Sequence, residues 1–156
     1  MAVSTDPDVT RAGRAVAWLA RQFEVELGEA GLSLPQFRLL AYLSTGSAGP
    51  SPAALELSTS RPSVTSLVDG LVAKGLVDRH AHADDRRRVT LVLTPAGQRT
   101  LAEADTVIAG RLREVAGFLE PDEAARAYEG LLLWGKAQAA RRAAKADATA
   151  AAKAPA

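Results

Sequence analysis

The sequence predicts a mainly α-helical fold: six helices and one two-stranded β-hairpin. Three observations predict it. Over most of the chain, apolar residues recur at alternating three- and four-residue spacing, which places them on one face of a helix. Ser, Thr or Pro stands before these runs and Gly after several of them, the start and stop chemistry of helices. Between Leu76 and Leu93 alone the pattern changes to short, branched, roughly alternating runs around a charged stretch.

Val9, Ala12, Val16, Leu19, Phe23 and Leu27 mark a first helix from Val9 to about Ala30, with Gly31 as its C-cap. Ser33 caps a second helix, Pro35 sits near its first turn, and Phe37, Leu39, Leu40, Tyr42 and Leu43 form its buried side. Gly46 to Pro50 is a turn cluster. A short third helix spans about Pro52 to Leu57 and is broken by Ser58, Thr59 and Ser60. Ser60 then caps a fourth helix that runs to Lys74 and stops at Gly75, with Val64, Leu67, Val68 and Leu71 turned inward. Leu76 to Arg79 and Val89 to Leu93 are two strands, and the polar stretch His80 to Arg88 between them is too long for a two-residue turn, so it projects. Thr94 and Pro95 open a fifth helix carrying Leu101, Ile108, Leu112, Val115 and Leu119 on one side. Pro121 opens a sixth, with Tyr128, Leu131, Leu132 and Gly135 on one face. After about Ala143 the composition falls to Ala, Lys, Thr and Pro, which predicts a disordered basic tail.

Composition narrows the function. The 156 residues suit one domain with appendages, and a 4% aromatic content means a core of small and branched aliphatics. The absence of cysteine excludes disulfides and thiolate metal sites. No apolar run approaches a membrane span, and a cytoplasmic location is expected. The net charge of +1 is unremarkable, but its distribution is not: Arg86, Arg87 and Arg88 stand together, and Lys136, Arg141, Arg142, Lys145 and Lys153 crowd the carboxyl end. Such local clusters set the electrostatic footprint on a phosphate backbone.

Two short helices, a tight turn and a hairpin with a basic tip together make a winged helix-turn-helix. In that arrangement the first short helix braces the second, which presents its first turn to base edges in the major groove. Here that turn exposes Ser60, Arg61, Ser63, Thr65 and Ser66. Hydroxyls can bond a phosphate oxygen or a base edge, and Arg can grip a guanine through two bonds. The three wing arginines can reach a minor groove, where Arg is favoured as the groove narrows. Asp84 and Asp85 beside them repel a phosphate, unless one fixes an Arg or caps the loop.

The run Asp85-Arg86-Arg87-Arg88-Val89-Thr90-Leu91-Val92-Leu93-Thr94 matches the D-x-R-x-x-x-x-x-L-T signature of the multiple-antibiotic-resistance regulator (MarR) family. Leu71, Lys74, Gly75, Leu76, Val77 and Arg79 resemble that family's helix end and first wing strand, and Pro95, Ala96 and Gly97 its next helix start. The resemblance covers about Val9 to Arg142. It implies a DNA-binding homodimer, clamped through its amino- and carboxyl-terminal helices, that represses transcription at a pseudo-palindromic operator. It also implies a wing-stabilising role for Asp85, a minor-groove role for Arg87, and phosphate contacts from Lys74, Arg79 and the neighbouring arginines. Small anionic or phenolic effectors are implied between the dimer helices and the DNA-binding lobe, with Trp18, Phe37 and Tyr42 as candidate lining. The expected organisation is a flexible start (1–8), amino-terminal helices for dimerisation and support (9–46), the winged lobe (47–94), carboxyl-terminal dimer helices (95–142) and the tail (143–156). The chain departs from the family at Ser66 and Gly70, where many relatives carry basic residues. Gly70 in mid-helix also costs about 1 kcal/mol relative to Ala unless close packing requires it.

Competing readings are weaker. A winged module that docks proteins instead of DNA would lack the basic wing. His80 and His82 alternate at the wing base, but two His without a third ligand make a poor metal site, so neither metal nor cofactor is expected. Trp18 and Trp134 are more simply packing residues than pocket walls. Ser58 to Ser60 lacks a base and an orienting partner, and no glycine-rich phosphate loop or paired catalytic carboxylates occur, so an enzyme is not expected.

Overall fold

The computed structural model describes residues 6–81 and 89–151. Six helices and two strands follow in the predicted order: α1 (Pro7–Glu29), α2 (Leu34–Leu43), α3 (Pro50–Glu56), α4 (Arg61–Ala73), β1 (Val77–Ala81), β2 (Val89–Leu93), α5 (Pro95–Ala116) and α6 (Pro121–Ala151). The mainly helical winged helix-turn-helix architecture is therefore present. Its core joins Leu27 of α1, Leu39 and Leu40 of α2, Val64, Val68 and Leu71 of α4, and Val77 and Leu91 of the wing strands, all essentially inaccessible to solvent. The three-four spacing of these residues within each helix is what turns them to one centre.

Helix ends explain where boundaries moved. α1 begins before Val9 because the Asp6 side chain accepts the Asp8 amide at 2.9 Å and Pro7 occupies the first turn. Residues 6–8 thus belong to a helix start, not to the flexible terminus expected there. At its far end Gly31 takes φ +75°, and the Leu32 amide returns to the Leu27 carbonyl at 2.8 Å, a Schellman closure. α4 closes the same way: Gly75 takes φ +68° and the Leu76 amide reaches the Leu71 carbonyl at 2.9 Å. α3 starts at Pro50, earlier than the expected Pro52, from Gly49.

The wing strands pair antiparallel from Val77↔Leu93 to Ala81↔Val89. Pairing with Thr90 carries His80 into β1, so the strand outlasts the Arg79 boundary expected from alternation alone. Ala48, within the turn cluster, exchanges both backbone hydrogen bonds with Leu91, at 2.8 and 3.3 Å, and pins the α2–α3 turn to the wing. α6 continues to Ala151, so residues 143–151 are helical where a disordered tail was expected. The reason is local: Ala is the strongest helix former and Lys a good one, and low complexity does not remove that preference.

Candidate nucleic-acid interface

The reading face is built by the start of α4. Ser60 caps it, its hydroxyl accepting the Ser63 amide at 3.2 Å, and Pro62 fits the first turn, where no amide is needed. Val64, Val68 and Leu71 face the core, so the helix period sends Ser60, Arg61, Ser63, Thr65 and Ser66 outward, and all five are exposed. The hydroxyls are ordered along the helix. The Ser60 and Ser63 oxygens lie 2.8 Å apart, Thr65 Oγ1 donates to the Arg61 carbonyl at 3.1 Å, and Ser66 Oγ donates to the Pro62 carbonyl at 3.3 Å. Each oxygen keeps lone pairs free to accept from a base amino group.

The wing is tied to this helix. Arg79 of β1 donates through Nη2 to Asp69 Oδ1 of α4 at 2.5 Å, so β1 and the reading helix are neighbours on one side of the lobe. The pair is partly exposed, and its energetic weight is accordingly small. At the wing base, Gly97 of α5 stands so close that a Cβ there would lie 2.1 Å from the Leu76 carbonyl oxygen. Asp85, Arg86, Arg87 and Arg88, together with His82 and Asp84, lie outside the described residues. His80 is exposed on β1, and among the described residues no group of three His, Cys, Asp or Glu side chains is placed to hold a metal.

Lys74 does not stand beside these groups. Its ammonium donates to the Gly31 carbonyl at 2.6 Å and lies 3.4 Å from Gln36 Oε1, where α1 meets α2. The phosphate contact expected of it would compete with that carbonyl. Gly70, one turn earlier, packs near Gln36: a Cβ there would lie 3.2 Å from Gln36 Nε2, a tight contact that a small shift of the glutamine end would relieve.

Phe37 and Tyr42 share a cleft of about 430 Å³ between α2, α3 and α6, whose polar wall is Arg38, Glu56 and Arg142. Arg142 Nε lies 2.8 Å from Glu56 Oε2, joining α6 to α3. Burial raises the Tyr42 phenol above its ordinary pKa, and the Glu56 carboxylate raises it further. Trp18 does not line this cleft. It is 72% exposed on α1, and Trp134 is 67% exposed on α6, so any packing of the two rings needs a surface outside the described residues of one chain. Phe118 and Leu132 are likewise bare. Among the described residues no helix is long and apolar enough to cross a membrane.

Gln36, Glu56 and Asp69 are groups the sequence reading did not single out. Only Gln36 had a local signal, Ser33-x-x-Gln36, which forms a capping box: the Ser33 amide donates to Gln36 Oε1 at 3.1 Å and the Gln36 amide to Ser33 Oγ at 3.3 Å.

Comparison with known proteins agrees with this geometry. The family model described as MarR family matches residues 30–88, which hold α2, α3, α4 and the first wing strand. The HTH-type transcriptional repressor YetL of Bacillus subtilis (strain 168) is 27% identical over 93 residues, covering 58% of this chain and 54% of YetL. The chain thus spans about half the length of that relative. The transcriptional repressor CouR, solved bound to a 23-mer DNA duplex, is 27% identical with a TM-score of 0.67, over 79% of this chain and 87% of CouR. NadR, solved in complex with 4-hydroxyphenylacetate, shares the fold at 24% identity and a TM-score of 0.68, over 91% of this chain and 96% of NadR. The family signature, the helix order and the wing strands thus agree with a likeness to the MarR family, whose model matches 59 of the 156 residues.

Proposed function

We propose that this chain is a sequence-specific repressor that binds double-stranded DNA in the cytoplasm as a symmetric homodimer. The observation that carries the reading is the exposed start of α4: four hydroxyls and Arg61 open to solvent around its first two turns, beside a wing strand that Arg79 ties to the same helix. Two such helices, set roughly 34–36 Å apart, enter successive major grooves of one duplex. Arg61 and the hydroxyls read bases. Arg87 enters the minor groove with Asp85 bracing the wing, while Arg79, Arg86 and Arg88 meet phosphates. Arg79 keeps donors beyond the Nη2 that meets Asp69, whereas the single Lys74 ammonium is engaged by the Gly31 carbonyl and Gln36.

Dimerisation is supported by the apolar surface that one chain leaves bare. Trp18, Phe118, Leu132 and Trp134 are each at least two-thirds exposed, and they lie on or next to the helices at the two chain ends. Several large apolar side chains left bare on these helices support association. A small anionic or phenolic effector suits the Phe37–Tyr42 cleft, whose arginines would take its charge, and it would relieve repression only by binding one lobe spacing better than another.

A salt series of gel shifts on the DNA upstream of the chain's own gene tests the reading. Binding should weaken steeply as salt rises, and Arg87→Ala should weaken it further. Negligible binding at every salt concentration would point instead to a winged module that docks proteins.

A further inference from the structure

We propose that Gln36, Gly70 and Lys74 form a joint that holds the reading helix against the end of α1, making Lys74 a positioning residue and not a phosphate ligand. The functional consequence rests on the DNA-binding reading above; the joint itself does not.

Three elements meet at one amide. Gln36 Oε1 accepts the Ser33 amide at 3.1 Å, which holds the side chain at the start of α2. Lys74 Nζ lies 3.4 Å from the same oxygen and donates to the Gly31 carbonyl at 2.6 Å. On the other side of the amide, Gly70 presents a bare Cα, since a Cβ would sit 3.2 Å from Gln36 Nε2. Gly70 and Lys74 are one turn apart on α4, so they share a face. The second half of the reading helix is thereby keyed at two points to the junction between α1 and α2.

Val64, Val68 and Leu71 hold α4 to the core through close apolar packing. The Lys74 hydrogen bond adds a polar tie at the carboxyl end of the helix, beyond the last of these core contacts. The Lys74 ammonium also sits at the carboxyl end of α1, where the helix dipole favours a cation. Because α1 carries part of the exposed apolar surface, the joint passes the orientation of that helix to the reading helix. In a dimer it would set the separation of the two readers.

The chain has no cysteine, which makes the test clean. Spin labels at Arg14→Cys on α1 and Ser66→Cys on α4, diluted into excess unlabelled chain, report the distance between the two helices without DNA. Lys74→Met, which keeps the stem but loses the donors, and Gln36→Leu should each shift or broaden that distance distribution. Lys74→Met should also weaken binding to the upstream duplex about three- to ten-fold, the size of one or two exposed polar contacts, with the salt slope unchanged. A distance distribution identical to the parent in both variants overturns the joint. A salt slope reduced by about 0.9 per lost contact overturns it as well, because Lys74 would then be a phosphate ligand. If the parent chain binds no DNA, the proposed function fails while the label distances still decide the joint.

Discussion

Replacing Gly97 by Ala puts one methyl group where the backbone of another element already lies. The new Cβ would be 2.1 Å from the Leu76 carbonyl oxygen and 2.9 Å from Leu93 Cδ2. Real Cβ contacts essentially never fall under 3.0 Å, so the wing base and the start of α5 must part by about 0.9 Å. Neither side yields easily. The Gly97 amide donates to the Thr94 hydroxyl at 2.9 Å, and the Leu76 carbonyl accepts the Thr94 amide at 3.1 Å. Overpacking of this kind costs about 1–3 kcal/mol, and a weakened hydrogen bond adds roughly 0.5–1.5 kcal/mol. Better helix propensity at Ala returns at most about 1 kcal/mol, and less in a first turn. The net expectation is a loss of about 2–3 kcal/mol, read as a lower urea midpoint at constant slope by circular dichroism, with Tm falling roughly 5–10 °C. DNA affinity should fall too, because Leu76 and Leu93 anchor the two wing strands. A destabilisation below about 1 kcal/mol would refute the reasoning, since it would mean that the wing base moves freely against α5.

Other positions give independent checks. Ser60→Ala removes the α4 cap and should cost about 1 kcal/mol in urea unfolding, whereas Ser60→Gly should cost only a few tenths. The Tyr42 phenol is raised by burial and then by Glu56, so the folded chain keeps a proton that the unfolded chain gives up near pH 10. Stability is then intact below that pH and is lost as pH rises through the folded value; Tyr42→Phe should flatten the alkaline loss and leave neutral stability unchanged. Leu132→Asp combined with Trp134→Ser should convert the proposed dimer to monomer in sedimentation while the circular dichroism of the lobe is retained; an unchanged dimer would place the interface elsewhere.

Short-range chemistry carries far in this chain. Helix caps at Ser33, Ser60 and Thr94, glycines at 31 and 75, and the three-four apolar stripes each act within one or two turns, so all six helices, the hairpin and the outward hydroxyls of α4 were legible in the residues alone. The same local reasoning erred beyond residue 143, where low complexity was weighed above the helix preference of Ala. What only the tertiary structure decided are contacts between distant positions. Ala48 bridges Leu91, Lys74 caps the end of α1, Arg79 pairs with Asp69, Arg142 with Glu56, and Arg111 of α5 with Glu26 of α1. Each depends on where two elements cross and on which rotamer reaches across the gap, and neither quantity leaves a periodic trace in the residues themselves. For that reason the place of Lys74 on the reading helix was legible in the residues, while its hydrogen bond to the Gly31 carbonyl was not.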